Sequence, residues 1–217
     1  VEVTGKVKEI VKDVTKGLTK PEEKLEAIYN WIKNSIVWSG SNRVYADYDV
    51  NQILEQKKGS SAEISFLLIS MLQSAGITAD PIILSTKKNG KIQDLYPIIS
   101  QFNYTIARTN IGGKPYYLDA TDPNRPINVL PVKILGVKGL VIKKGSLEWI
   151  NIPPNKINSD KIIVNVKIAN DGSITSDIES ALGEYSSLSI RNNLSDKTEM
   201  DIAKEQFESE KNGLTID

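Results

Sequence analysis

The chain has 217 residues, 40% of them apolar and 25% charged, which suits one ordinary globular domain plus a smaller second unit and excludes a disordered chain. Its 27 basic residues balance 27 acidic ones, so no global field favours nucleic acid or an anionic membrane. With no Cys and no His it has no disulfide, thiolate, imidazole base or Cys- or His-ligated metal; a carboxylate cation site stays open, but no EF-hand pattern is present.

Val7, Ile10, Val11, Val14 and Leu18 fall at helical spacing, so residues 5–17 read as an amphipathic helix closed by Gly17. Thr19-Lys20-Pro21-Glu22 reads as a capping box with Pro in the first turn of a second helix, whose stripe is Leu25, Ile28, Tyr29, Ile32 and Ile36. Residues 39–50 are polar and turn-rich and read as a loop, with Lys57 and Lys58 in a further polar loop. Ser60 and Glu63 have capping-box spacing, residues 62–75 are apolar nearly all round, and Gly76 supplies a left-handed end: a helix buried on most sides.

The period then changes to that of strands. Runs at 78–86, 102–109, 115–119, 137–143 and 147–152 are separated by turns at Lys87–Gly90 and Ile111–Lys114. Three helices followed by an antiparallel sheet indicate an α+β domain. Pro153-Pro154-Asn155 reads as a boundary, so residues 1–153 are expected to form one domain and 154–217 the start of an incomplete β-rich one. In the latter, 161–169 and 174–178 read as strands of a hairpin turning at Asn170–Ser173, and 196–211 as a polar helix. No run of about 18 apolar residues suggests a membrane helix, and no signal peptide is visible. The chain starts without Met and ends at Gly213–Asp217 in an apparent strand, so it reads as a piece of a longer protein.

Three segments in order carry a family likeness: Gly59-Ser60-Ser61 opening the buried helix, Phe102-Asn103-Tyr104 opening a strand, and Tyr117-Leu118-Asp119-Ala120-Thr121 closing the next. Ser61 and Tyr104 are 43 residues apart, and Tyr104 and Asp119 are 15 apart. The set resembles the transglutaminase-like domain, a relative of the papain-like cysteine proteases, over roughly residues 5–150. The resemblance implies a transglutaminase-like/papain-like α+β core of N-terminal helices, a buried central helix and an antiparallel sheet, followed by a partial β-rich domain. In that family a Gly-x-Cys opens the helix, a His opens the strand, and an Asp ends the next one. Here Ser61 stands at the Cys position and Tyr104 at the His position, and Asp119 alone matches. Leu84-Ser85-Thr86 and Gln101-Phe102-Asn103-Tyr104 are similar to a subgroup of the Bacteroides group, in which such a unit lies between two β-rich domains. That resemblance implies an extracytoplasmic place, in the periplasm or at the outer membrane. It also implies flanking β-rich domains of the same protein as partners.

The family chemistry needs a thiolate, helped by a neighbouring imidazolium and a helix N-terminus. A serine depends on a positioned general base. Tyr104, with an ordinary pKa of about 10, is a neutral phenol at pH 7, and a nearby Asp119 carboxylate opposes its ionisation. The simplest arrangement is a structural hydrogen bond from Tyr104 to Asp119 or to a backbone carbonyl. Lys57 and Lys58 are the lysines nearest Ser61 in sequence, and both read as solvated.

Ser60 and Ser61 equally read as helix caps, Glu63 as a capping-box partner, and Asp119 as a turn former. Tyr45, Tyr48, Tyr116 and Tyr117 read as rim or core edge, Trp31 as packed, and Lys87, Lys88 and Lys91 as solvated. The expected function is therefore non-catalytic: binding or assembly through peptide, glycan or domain docking, with Ser61, Tyr104 and Asp119 as vestigial catalytic positions. Trp38, Ser60, Glu63 and Asn103 are the cleft and binding candidates, and no cofactor or metal is expected. The rivals are a serine-based amidase, protease or acyltransferase using Ser61, and a structural spacer without ligand.

Overall fold

The computed structural model describes residues 1–93, 95, 98–153, 158–194 and 196–207. The chain divides into two compact units, Val1–Asn155 and Lys156–Asp217. Pro154 and Asn155 of the punctuating stretch, residues 208–211 of the expected polar helix and the apparent terminal strand at Gly213–Asp217 lie outside the described residues.

The first unit opens with α1 (Gly5–Val14), whose N-cap Thr4 accepts the Val7 N–H and whose Val7 and Val11 are buried. In α2 (Pro21–Ser35), Leu25, Ile28, Tyr29 and Ile32 are buried as expected. The expected capping box at its start is absent: Lys20, not Thr19, occupies the N-cap and makes no side-chain cap bond. Pro21 explains the shift, because a proline prefers the first helical position and pushes the residue before it out of the helical region. Strand β1 (Val37–Trp38) pairs in parallel with β2 (Lys58–Gly59). Between them lies a helix not foreseen in the sequence, α3 (Val50–Gln56), which buries Ile53 and Leu54 and is closed by a reciprocal Asp49/Gln52 capping box. Lys57 and Lys58 are thus not loop residues: Lys57 is the left-handed C-cap of α3, at φ 53°, and Lys58 belongs to β2.

Helix α4 (Ser61–Ser74) is the spine of the unit, buried along almost its whole length and ended by Gly76 at φ +80°. It packs on one face of a five-stranded antiparallel sheet formed by β3 (Ala79–Leu84), β4 (Tyr104–Ile111), β5 (Lys114–Leu118), β6 (Lys138–Lys143) and β7 (Ser146–Asn151), in the order β5-β4-β3-β6-β7. Leu67, Leu68 and Leu72 of α4 share a core with Ala107, Ile111 and Leu118 of the sheet. The opposite face buries Ile82, Leu84, Tyr104, Ile106 and Val141 against Leu130, Ile134 and Ile152. Successive strand residues point to opposite faces, so Tyr104 joins this second core, while the carbonyl of Thr105 accepts the Ser65 hydroxyl of α4.

The second unit contains a hairpin of β8 (Lys161–Ile168) and β9 (Ile174–Ala181), then α5 (Glu184–Asn193) and α6 (Glu199–Phe207). Helix α5 was not foreseen, and α6 falls within the expected polar helix. The hairpin register puts Ile162, Val164, Val166, Ile168, Ile174 and Ile178 on one face, all exposed, and Lys161, Lys167, Asp177 and Glu179 on the other. Among the described residues no helix is long and apolar enough to cross a membrane.

Candidate functional site

The amino end of α4 is closed by two layers of contacts. Ser60 is its N-cap, and Ser60 and Glu63 form a reciprocal capping box in which Glu63 Oε2 accepts the Ser60 N–H at 2.7 Å. The other carboxylate oxygen, Glu63 Oε1, accepts the N–H groups of Asp47 and Tyr48 at 3.0 and 3.1 Å. Glu63 therefore anchors the segment between β1 and α3 as well as capping its own helix. Burial alone pushes its carboxyl up, but the bonds from Ser60, Asp47 and Tyr48 outweigh this and hold it below its ordinary value.

Ser61 is the first residue of α4 and is fully buried. Its N–H donates to Ser41 O at 3.1 Å. Its Oγ accepts the Arg43 N–H at 2.9 Å and donates to Arg43 O at 3.1 Å. Arg43 O also accepts the Thr105 hydroxyl at 3.1 Å, and Ser41 O also accepts the Trp38 indole N–H at 3.1 Å. The hydroxyl of Ser61 thus has main-chain partners that cannot take its proton.

Tyr104 and Asp119 bond directly to each other. The Tyr104 hydroxyl donates to Asp119 Oδ2 at 2.8 Å and lies 3.2 Å from Thr121 Oγ1. Asp119 Oδ1 accepts the Thr121 N–H at 3.0 Å and its hydroxyl at 2.6 Å, and Asp119 O accepts the Tyr29 hydroxyl at 2.7 Å. Asp119 is therefore both a turn former and the partner of Tyr104. Burial first, and the Asp119 charge second, push the Tyr104 phenol well above its ordinary pKa. Among the described residues no hydrogen bond joins Ser61 to Tyr104 or Asp119.

Lys133, in a single 3-10 turn at Val132–Ile134, sits over both aromatic candidates: its Nζ is 4.1 Å from the Tyr104 ring centre and 4.7 Å from that of Trp38. Its Nζ also donates to Asn42 Oδ1 at 3.0 Å. Burial pushes its pKa down, and the Asp119 charge opposes that. Asn103 bridges strand ends, accepting the Thr86 N–H at 2.9 Å and donating to Thr86 Oγ1 at 3.0 Å. Lys87, Lys88 and Lys91 are exposed, as are Tyr45 and Tyr48. Among the described residues no group of three or more acidic side chains gathers to hold a metal.

Sequence reasoning reached Trp38, Ser60, Ser61, Glu63, Tyr104 and Asp119 but missed Ser41, Arg43, Thr105 and Lys133. The first two act through their backbones, which leave no side-chain signature. Lys133 lies 91 residues from Asn42 in an otherwise ordinary loop. Thr121 was legible, since an Asp-x-Thr turn bonds the aspartate back to the threonine.

Residues 8–108 match the transglutaminase-like superfamily. Among solved structures, a proposed protease of Parabacteroides distasonis ATCC 8503 aligns with a TM-score of 0.53 and 17% identity, over 77% of this chain and 34% of that one. A proposed cysteine protease of Cytophaga hutchinsonii aligns with a TM-score of 0.43 and 16% identity, over 82% of this chain and 50% of that one. The chain thus spans about a third of the length of the Parabacteroides structure. No curated protein matches. Residues 8–108 thus carry the transglutaminase-like match, and the first unit has the α+β fold that goes with it.

Proposed function

We propose that this transglutaminase-like domain is non-catalytic and serves binding or assembly within a larger extracytoplasmic protein, with β-rich domains of the same polypeptide as its neighbours. The observation that carries the reading is the state of Ser61. Its hydroxyl is fully buried, and both its donor and acceptor capacity are engaged by the Arg43 backbone. A serine nucleophile needs a base that receives its proton. The chain has no imidazole, and Tyr104 is held as a neutral phenol that donates to Asp119. The extracytoplasmic setting and the flanking domains are supported by the likeness to the Bacteroides-group pattern.

The test is incubation with a fluorophosphonate probe, read by intact-mass and peptide mass spectrometry, with Ser61→Ala as control. The expected outcome is no adduct on Ser61 in either protein. An adduct on the natural chain that disappears in Ser61→Ala would establish the serine-enzyme alternative instead.

A further inference from the structure

The last turn of α4, at the far end of the helix from Ser61, borders a cleft of about 540 Å³ that it shares with α1 and α2. That volume suits a small organic ligand. Val3, Val11 and Ala75 supply an apolar part of the lining, and Lys8 and Lys12 of α1 and Lys24 of α2 supply three cations. Among the described residues no carboxylate lines the cleft.

The fold itself does not account for these three charges. Lys8 and Lys12 are four residues apart on one face of α1, an arrangement in which like charges repel. Lys12 lies in the last turn of α1, where the helix dipole favours a cation. Lys24 is the fourth residue of α2, close to the amino end, where the dipole disfavours one. Other lysines of this region are paired: Lys6 with Glu55 at 3.3 Å, and Lys20 with Glu23 at 3.2 Å. Among the described residues the ammonium groups of Lys8, Lys12 and Lys24 have no ion pair and no hydrogen bond. Lysines solvated on an open surface, such as Lys87, Lys88 and Lys91, need no counter-charge. These three instead border one concave, partly apolar volume.

We propose that this cleft binds a phosphate monoester carried on an apolar body. Ammonium groups act as point charges and suit a phosphate, which carries a charge of about −1.5 to −2 at pH 7. A lone carboxylate is better matched by a bidentate arginine, and no arginine lines the cleft. The phosphate occupies only part of the volume, which leaves the body to lie along Val3, Val11 and Ala75. The inference goes beyond the reading of Ser61 and does not depend on it.

The test uses the full chain labelled with ¹⁵N and titrated with phenyl phosphate or inorganic phosphate. Phenyl phosphate should shift the amide resonances of Val11, Thr15 and Ala75, and should bind about tenfold more tightly than inorganic phosphate because its ring is buried. Each of Lys8→Gln, Lys12→Gln and Lys24→Gln should weaken binding about threefold, and the triple variant roughly thirtyfold. The charge-matched triple Lys87→Gln/Lys88→Gln/Lys91→Gln should bind as the natural chain does. The cleft substitutions relieve repulsion, so the cleft triple should unfold at no lower urea concentration than the natural chain, which separates lost binding from lost folding. Sedimentation with phosphatidylcholine vesicles, with and without phosphatidic acid, distinguishes the sources of the ester. Co-sedimentation that needs phosphatidic acid and is lost in the cleft triple assigns the ester to a lipid headgroup; phenyl phosphate binding without co-sedimentation assigns it to a soluble molecule. The proposal is overturned if phenyl phosphate shifts none of the three resonances at roughly 10 mM, or if the Lys87/Lys88/Lys91 triple weakens binding as much as the cleft triple. Inorganic phosphate binding as tightly as phenyl phosphate would overturn the apolar body.

Discussion

Tyr104→Phe isolates the bond between the Tyr104 hydroxyl and the Asp119 carboxylate. The substitution removes one hydroxyl and keeps the ring, so the burial in the second core and the Lys133 contact at 4.1 Å remain. What is lost is the 2.8 Å bond to Asp119 Oδ2. Tyr104 is 0% and Asp119 2% exposed, so water does not readily replace the hydroxyl. A hydrogen bond to a charged acceptor contributes about 1.5–3 kcal/mol, and the upper half of that range is expected here because a buried carboxylate oxygen loses its partner. Urea unfolding followed by tryptophan fluorescence measures it cleanly, since Trp31, Trp38 and Trp149 all lie in the first unit. The pH dependence adds a second reading. Burial and Asp119 raise the folded-state phenol pKa above its unfolded value of about 10. A raised folded value contributes stability that is complete below the unfolded pKa and is lost as pH rises towards the folded one. The gap between the natural chain and Tyr104→Phe should therefore be full at pH 7 and smaller at about pH 11. A destabilisation below about 0.5 kcal/mol at pH 7, or a gap that does not narrow in alkali, would refute this account.

Glu63→Gln keeps a capping amide and loses the charge. Because the folded carboxyl is held low, its stabilisation is present above the unfolded pKa of about 4.3 and lost as pH falls through the folded one, so a deficit of about 1–2 kcal/mol at pH 7 should shrink as urea titrations are taken below that unfolded value. Gly139→Ala would put a Cβ 2.7 Å from Ile82 Cγ2 between paired strands, and should cost about 1–3 kcal/mol, with Ile82→Ala coupling non-additively to it in a double-mutant cycle. Asp49→Ala removes the cap of α3 and should cost about 1 kcal/mol by the same fluorescence assay.

The long elements of the first unit were legible because their periodicity is enforced by burial. The stripe of Leu25, Ile28, Tyr29 and Ile32, and the all-round apolar run of α4, have no stable alternative to packing in a core. Helix α3 escaped because its seven residues bury only Ile53 and Leu54, too few to set a period; its signal was the Asp49–Gln52 cap spacing. The start of α2 was misread because Thr19 is a better cap by side chain, yet Pro21 decides the backbone. At the site, side-chain chemistry was readable and main-chain chemistry was not. Glu63 announces itself by capping-box spacing, and Tyr104 and Asp119 stand out through the family resemblance, whereas Ser41 and Arg43 act through groups that every residue shares.

Ser61 and Tyr104 leave no polar group of their side chains unsatisfied. A catalytic pair works because its polar groups are incompletely satisfied until substrate arrives, and such poise lowers stability. Here the Ser61 N–H and hydroxyl, the Tyr104 hydroxyl, and both oxygens of Asp119 and Glu63 all have partners at 3.1 Å or less. These residues form a point of cohesion between α4, the segment between β1 and α3, and the sheet. That cohesion has two parts on opposite faces of β4, Tyr104 with Asp119 in the second core and Ser61 with Thr105 at Arg43 O, and Lys133 ties them together by sitting over the Tyr104 ring while donating to Asn42.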